Sequence, residues 1–421
     1  MNFYDFIFKD FCLENVAIIT KNERITYYDL LAQINKKCEI ISDTYEVVIL
    51  PVQNSKNMIV NLFASLKKNK KVIILNSNIE VASIELKGRG LVLKDDFVTT
   101  YESENEEFTK TINEISDINI MTSGTTGKPK LCPLSTHSIE ERVNMLYEGY
   151  LKNRDKVIEG LVFPIFSITA LTIQVFPTLL KGGTLVLIEK IEEIPHYLSK
   201  FNLDFLGLTP TIFKLICSKN IEIFNNLGNL FLGGEKIDFP IIKKISAKLT
   251  TNVFIGYGFT EGGGMISFGN IFEIPENSVG MILPSVEVRI KENKRLGELE
   301  IRNVGERDWV SSGDIAYIKD NYLYIVDRKK SIIISSGKNL FPSCIKDKVL
   351  TIEGVDDLIV YGIPDFVTGE APAMDVVTKM EYDTFIAELK GVLSREEFPR
   401  KINFVSSLKI NNSGKCEVKK I

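Results

Sequence analysis

Three groups of residues have the types and spacing that chemistry needs. The run Met121-Thr122-Ser123-Gly124-Thr125-Thr126-Gly127-Lys128-Pro129-Lys130 gathers four hydroxyls, two glycines and two lysines. Glycine lets successive backbone N–H groups turn inward on an anion, and hydroxyls and ammonium groups add donors and charge. The composition grips phosphate. The spacing is not that of the GxxxxGKS or GxxxxGKT loop, because Gly124 and Gly127 lie close together and a proline follows Lys128. A polar turn is the plainer alternative. The second group is Gly256-Tyr257-Gly258-Phe259-Thr260-Glu261. A carboxylate suits a hard divalent cation, and the adjacent hydroxyl suits a phosphate oxygen. Thr260-Glu261 could equally cap a helix. The run is no dinucleotide fingerprint, since Glu261 stands where that motif needs glycine. The third group lies late in the chain: Ser312-Gly313-Asp314, Asp327-Arg328-Lys329-Lys330 and Ser413-Gly414-Lys415. Read alone, Asp314 fits a turn, Arg328 a surface, Lys330 a charged linker and Lys415 a solvated tail.

The rest of the composition narrows the field. His137 and His196 are the only histidines, which nearly excludes chemistry built on a histidine cluster. Six cysteines are scattered singly, without a CxxC pair, so reduced thiols fit better than zinc or disulfides. A net charge of −4 asks for neither nucleic acid nor an anionic membrane. The opening MNFYDFIFKDF mixes acids with apolar residues and lacks the form of a signal peptide. No stretch reaches the roughly 18 apolar residues of a membrane span. A cytoplasmic protein is expected.

The elements that must position these groups are readable. Val47 to Leu50 and Val72 to Leu75 read as buried strands, with Ile59, Leu62, Phe63 and Leu66 at helical spacing between them. Such a unit implies parallel strands covered by helices. Further strands are expected at Ile118 to Met121, Thr184 to Ile188, Phe205 to Leu208, Leu230 to Leu232 and Val253 to Ile255. Several motifs begin just after these strands, where ligands gather in open α/β sheets. A helix follows the first loop, with a capping box of Ser138 and Glu141, and Ile139, Val143, Leu146 and Tyr150 on one face. After Gly280, Val286 to Ile290, Glu298 to Arg302 and Tyr322 to Val326 form a small β-rich subdomain. Beyond Lys330, strands at Ile332 to Ile334, Leu358 to Tyr361 and Ile402 to Val405 and a helix at Phe385 to Val392 form a small α+β domain. The expected fold is therefore α/β. A large N-terminal domain (1–327) holds parallel and mixed sheets packed with helices, together with the β-rich subdomain. A small mobile α+β C-terminal domain (328–421) follows, with a hinge near 328–330.

Taken in order, the motifs resemble those of the adenylate-forming enzyme superfamily: acyl-CoA synthetases, adenylation domains of peptide synthetases, and luciferases. The loop from Thr122 to Lys128, the Gly256–Glu261 run, Ser312-Gly313-Asp314, Asp327 to Pro342 and Ser413-Gly414-Lys415 resemble five successive family motifs. The resemblance implies an ATP- and Mg²⁺-dependent ligase that joins a carboxylic acid to AMP and then passes the acyl group to a thiol. Coenzyme A is the favoured acceptor; a carrier-protein phosphopantetheine is the alternative. It further implies that Thr122, Ser123, Gly124, Thr125, Thr126, Gly127 and Lys128 hold phosphates, and that Glu261 holds Mg²⁺. Thr260 would donate to the α-phosphate, Asp314 accept from the ribose, and Arg328 reach ribose or phosphate. Tyr257 would stack on adenine beside Gly256, Gly258 and the Gly233-Gly234-Glu235 loop. Lys415 would stand between the acid and the α-phosphate, Lys330 would be the hinge, and Gly337 would line the thiol tunnel.

The acid pocket implied by the resemblance is Phe166, Thr169, Leu208, Thr209, Gly234, Gly256 and Met265. None of these is charged, which suits a small or medium apolar to mildly polar acid. Ser167 stands where many acyl-CoA synthetases have histidine, and Ala170 where they have glycine. Thr169 lies near the position at which amino-acid-activating relatives clamp an ammonium group with aspartate, and it lacks that charge. Lys346 stands where an acid is common, and the region before the first loop is shorter than usual. Two other classes remain beside the ligase: a kinase-like ATPase, which would release ADP, and a non-catalytic nucleotide-binding protein.

Overall fold

The computed structural model describes residues 2–51, 55–75, 79–81, 84, 87–105, 115–123, 129–151 and 156–408. Three sheets organise them. The first runs in the order Phe97–Ser103, Gly88–Lys94, Val47–Pro51, Lys71–Leu75, Ile118–Ser123, Pro129–Leu134. Its centre is parallel, with Val47 beside Lys71 and Val72 beside Ile118. Val47 to Leu50 and Val72 to Leu75 are wholly buried, as parallel strands covered on both faces must be. The helix Lys56–Lys67 lays Ile59, Leu62 and Phe63 against them. Buried Asn119 donates to the carbonyls of Val72 (3.1 Å) and Ser116, fixing the strand that leads to the first loop.

The second sheet has thirteen strands. Its core is parallel: Asn252–Phe259, Asn229–Leu232, Phe205–Leu208, Ile158–Leu161, Thr184–Leu187 and Val16–Ile19 lie side by side. The hairpin partner Gly264–Asn270 turns the sheet antiparallel, and the two-residue strand Met281–Ile282 joins it to Tyr322–Arg328. The strands Val310–Lys319, Gly297–Asn303 and Val286–Ile290 follow in turn. The expected β-rich subdomain is therefore a meander hydrogen-bonded onto the main sheet.

The third sheet contains Lys338–Leu340, Ile333–Ser335, Gly369–Thr378 and Val355–Asp365, with Lys401–Phe404 parallel to Gly369–Thr378. Helices Pro342–Val349 and Tyr382–Val392 cover it, and Ile345, Val349, Phe385 and Leu389 close a core drawn entirely from Ile333 onward. Three of these elements were not anticipated: Lys338–Leu340, Gly369–Thr378 and Pro342–Val349. Gly369–Thr378 contains Gly, Pro, Ala and Asp, which disfavour strands; ladder pairing along Val355–Asp365 overrides that preference. Pro342–Val349 begins with proline, which is preorganised for a first helical turn.

A ring of four charges joins the third sheet to the second. Lys214 lies 3.3 Å from both Asp238 and Asp357, and Lys346 lies 3.4 Å from Asp238 and 2.9 Å from Asp357. The positive charge of Lys346 thus pairs with both carboxylates of the ring. Lys236 and Asp347 add a looser pair at 3.8 Å. Among the described residues, no helix is long and apolar enough to cross a membrane.

Candidate functional site

The second motif forms a hairpin tip. Thr260–Gly263 is the turn between Asn252–Phe259 and Gly264–Asn270, with the Gly263 N–H donating to the Thr260 carbonyl at 2.9 Å. Gly263 (φ +74°) and Gly264 (φ +111°) adopt backbone that side chains rarely tolerate. Thr260 and Glu261 are therefore not a helix cap; they sit half-buried at the apex of a turn. A bulge between Tyr257 and Gly258 shifts the register. A side chain at Gly258 would press into the Gly264 carbonyl, and one at Gly256 would meet the Met265 sulfur at 3.0 Å.

Beneath this turn lies Arg142, 1% exposed, from the helix Thr136–Leu146. Its Nε donates to the Met265 carbonyl (2.8 Å) and Nη1 to the Gly263 carbonyl (2.9 Å). Nη2 donates to the Gly262 carbonyl (2.7 Å) and to Asn303 Oδ1 (2.6 Å). Asn303 Nδ2 donates to Glu306 Oε2 at 2.9 Å, and the Ser138 hydroxyl donates to Glu306 Oε1 at 2.6 Å. Burial pulls the Arg142 pKa down to about 10, with Glu306 opposing; the guanidinium stays charged near neutrality. Ser138 is thus not the expected helix cap. Ser135 takes extended backbone directly after the strand Pro129–Leu134 and accepts from the Ser138 N–H at 3.3 Å. The helix starts three residues earlier, and Ser138 is left to serve Glu306.

The third motif meets the second. Asp314 and Arg328 are direct partners on adjacent strands, with Arg328 Nε 2.8 Å from Asp314 Oδ1. The Tyr257 hydroxyl donates to Asp314 Oδ2, and the Asp314 N–H donates to Ser312 Oγ at 3.0 Å. The Asp314 side chain is 3% exposed and that of Arg328 is 55% exposed. Burial raises the Asp314 pKa above the usual carboxylate value; Arg328 and the Tyr257 hydroxyl oppose this. Burial and the Asp314 charge hold the Tyr257 phenol well above its ordinary value. Tyr257 and Phe259 pack with centroids 6.3 Å apart. Asp314, Arg328 and Tyr257 therefore form one cluster at the base of the Thr260–Glu261 hairpin.

Other expected residues are placed differently. Glu235 Oε2 accepts from the Thr211 N–H (3.2 Å) and hydroxyl (2.7 Å) at the start of the helix Pro210–Lys219. The Thr209 hydroxyl caps the same helix, accepting from the Ile212 N–H at 3.3 Å. Leu208 does not join the expected pocket: it lies in the core with Leu206, Leu230 and Leu232, whereas Phe166 and Met265 pack into the core on the other side of the sheet. Strand alternation accounts for the placement, because Leu206 and Leu208 share one face and Gly207 turns to the other. There a side chain on Gly207 would strike the Phe163 ring, and Phe163 and Phe231 meet edge-on with centroids 6.3 Å apart. Phe231 was not singled out by the sequence reading. Gly234 (φ +80°) lies beyond the Phe163 ring. Thr169 is half-buried, just before a π-helical turn at Ala170–Val175.

Thr122 and Ser123 end the strand Ile118–Ser123, with Ser123 paired to Pro129; the Thr122 hydroxyl donates to the Lys130 carbonyl at 3.4 Å. Gly124, Thr125, Thr126, Gly127 and Lys128, and also Lys415, lie outside the described residues. Lys330 is exposed in a short turn, Lys329–Ser331, between the second and third sheets. Gly337 (φ +75°) is exposed at the tip of the hairpin of Ile333–Ser335 and Lys338–Leu340. A contact absent from the sequence reading spans this turn: Asp327 Oδ2 accepts from the Ser343 N–H at 2.8 Å, at the start of the helix Pro342–Val349.

The donor set tests the expectation of Mg²⁺. Among the described residues, no group of three His, Cys, Asp or Glu forms a metal cage. Mg²⁺ in nucleotide sites commonly takes one or two carboxylates plus phosphate oxygens and water. The lone apical Glu261 beside Thr260 fits that mode.

Residues 90–307 match the family model described as AMP-binding enzyme, and the chain belongs to that family. The 2-succinylbenzoate–CoA ligase of Lactococcus lactis subsp. lactis is 28% identical over 93% of this chain and 94% of its own. ATP-bound MatB from Rhodopseudomonas palustris superposes with a TM-score of 0.83 at 19% identity, covering 99% of this chain and 97% of that one. The o-succinylbenzoate–CoA synthetase (MenE) of Bacillus subtilis, solved with ATP and magnesium ion, gives 0.78 at 19% identity over 99% and 98%.

Proposed function

We propose that the chain is an AMP-forming acid–CoA ligase. The observation that carries this reading is the convergence of Tyr257, Asp314 and Arg328 beneath the Thr260–Glu261 turn, in a family member aligned almost end to end with a CoA ligase. The reaction joins two anions, so positioning and charge compensation supply most of the catalysis. Thr122 to Lys128 would hold the β- and γ-phosphates, and Thr260 would donate to the α-phosphate. Glu261 would hold Mg²⁺, which offsets phosphate charge when bound. Asp314 and Arg328 would take the ribose, with the Tyr257 ring, Gly256, Gly258 and Gly234 beside the base. Glu235 would act through the helix it caps. Lys415 would stand where charge builds between carboxylate and α-phosphorus.

We further infer that residues 1–327 and 328–421 act as two domains. The small one would turn at Lys330 and bring Gly337 to the thiol channel. Phe163, Phe166, Phe231 and Met265 favour an uncharged acid body. CoA is the proposed acceptor because the named relatives are CoA ligases; a carrier-protein phosphopantetheine has no such support.

The test is acid-dependent exchange of labelled pyrophosphate into ATP with Mg²⁺, over fatty, aryl, hydroxy and amino acids. Exchange with one acid class, abolished by Lys415→Ala while ATP still binds, is expected. Acid-independent release of ADP would refute the reading.

A further inference from the structure

The Thr260–Glu261 turn does not hold itself. A four-residue tip that ends in left-handed backbone at Gly263, with Gly264 left-handed directly after it, has little intrinsic preference for one shape. The side chains proposed to meet phosphate and metal sit at its apex, and three backbone carbonyls of the turn and its descending strand point the other way, into the protein. Those carbonyls belong to Gly262, Gly263 and Met265, and one buried guanidinium takes all three. Nη2 also donates to Asn303, and among the described residues no carboxylate touches the guanidinium directly. Buried arginine ordinarily pairs with a carboxylate; here the counter-charge, Glu306, is held one residue further off through Asn303. Three of these four bonds of the guanidinium fix backbone.

The connections of Arg142 extend the argument. Its helix follows the strand Pro129–Leu134, which leaves the first motif loop. Asn303 ends the strand Gly297–Asn303, and Glu306 precedes the strand Val310–Lys319 that carries Asp314. Ser138, four residues before Arg142, closes the circuit on Glu306. Arg142 therefore ties together the elements behind all three nucleotide-side motifs. The fit is close: a side chain on Gly263 would lie 2.6 Å from Arg142 Nη1.

We propose that Arg142 is a positioning residue that sets the Thr260–Glu261 turn for Mg²⁺-bound triphosphate, acting through Gly262, Gly263 and Met265 without touching the ligand. This rests on the reading of Glu261 as the metal-side carboxylate. Lysine at this position keeps the charge and reaches fewer carbonyls from one nitrogen, so the turn loses its shape while the core keeps its cation.

The experiment is calorimetric titration of the full chain with MgATP and, separately, with adenosine in EDTA, which lacks the α-phosphate that Thr260 would meet, for the parent, Arg142→Lys, Asn303→Ala and Glu261→Gln. Arg142→Lys should weaken MgATP binding by about tenfold, the equivalent of one or two lost hydrogen bonds, and leave adenosine binding within about twofold. Unchanged MgATP affinity, or equal loss for both ligands, overturns the proposal. Should Arg142→Lys fail to fold, Asn303→Ala decides. A selective loss of MgATP affinity, about threefold for one bond to the guanidinium, supports the proposal, and parental affinity overturns it. Glu261→Gln separates the two readings. If it weakens MgATP and Arg142→Lys does not, only the Arg142 proposal falls. If it leaves MgATP binding intact, the metal reading of Glu261 falls, and the Arg142 proposal with it.

Discussion

Asp314→Asn should separate binding from stability. The substitution keeps the shape of the side chain and removes its charge. Burial raises the Asp314 pKa even with Arg328 and the Tyr257 hydroxyl against it. The folded protein therefore holds this proton more tightly than the unfolded chain does. A carboxyl of that kind stabilises the fold most fully below its unfolded pKa, and the contribution is lost as pH rises through the folded pKa. Once ionised, Asp314 is a burden on stability. In the variant, the amide oxygen still accepts from Tyr257, and the half-exposed Arg328 turns to water. The melting temperature should stay level or rise. The proposed ribose contact, by contrast, loses a charge-assisted acceptor worth roughly 1.5–3 kcal/mol, about 10- to 150-fold in Kd. Calorimetric titration with AMP, paired with a thermal melt, measures both. A variant that melts well below the parent and binds AMP unchanged would refute the reasoning, because Asp314 would then be an ordinary structural ion pair.

Gly258→Ala forces a methyl into the Gly264 carbonyl across the hairpin; it should cost about 1–3 kcal/mol of stability and weaken nucleotide binding, and a melt equal to the parent's would contradict the packing. Asp357 is pushed up by burial, but Lys346 and Lys214 more than offset this and hold it below the usual carboxylate value. Its stabilising contribution is then present above the unfolded pKa of about 4 and lost as pH falls through the lower folded value. Asp357→Asn should open the four-charge ring at a cost of roughly 1–3 kcal/mol. Tryptic cleavage after the exposed Lys329 and Lys330 should speed up several-fold, and an unchanged cleavage rate would show that the ring does not hold the sheets together.

Much of the fold was legible because parallel strands here are short apolar runs bounded by polar turns. Val47 to Leu50, Phe205 to Leu208 and Thr184 to Leu187 all lie where their composition places them. The same feature hid which way the side chains face. A strand buried on both faces has no apolar–polar alternation, so nothing in Phe205-Leu206-Gly207-Leu208 tells which side chain faces which core. The resemblance groups Leu208 with Phe166 and Met265, whereas the strand lays Leu208 with Leu206 in the core on the other side of the sheet. The pairing of Asp314 with Arg328 could be suspected from their motifs, but not its geometry, which depends on the bulge between Ile315 and Ala316. Arg142 gave no local signal at all: one arginine in a polar helix becomes a clamp only through carbonyls more than a hundred residues away.

The bond between Asp327 and the Ser343 N–H lends the helix Pro342–Val349 a first-turn acceptor from across the hinge. Phe341, the residue at the capping position, makes no side-chain hydrogen bond of its own. Rotation of the small domain about Lys330, as proposed, would draw Ser343 away from this borrowed acceptor and hand its amide to water. The helix start therefore doubles as a built-in gauge of domain orientation, and the deuterium uptake of the Ser343 amide reads that gauge without a label attached to the protein.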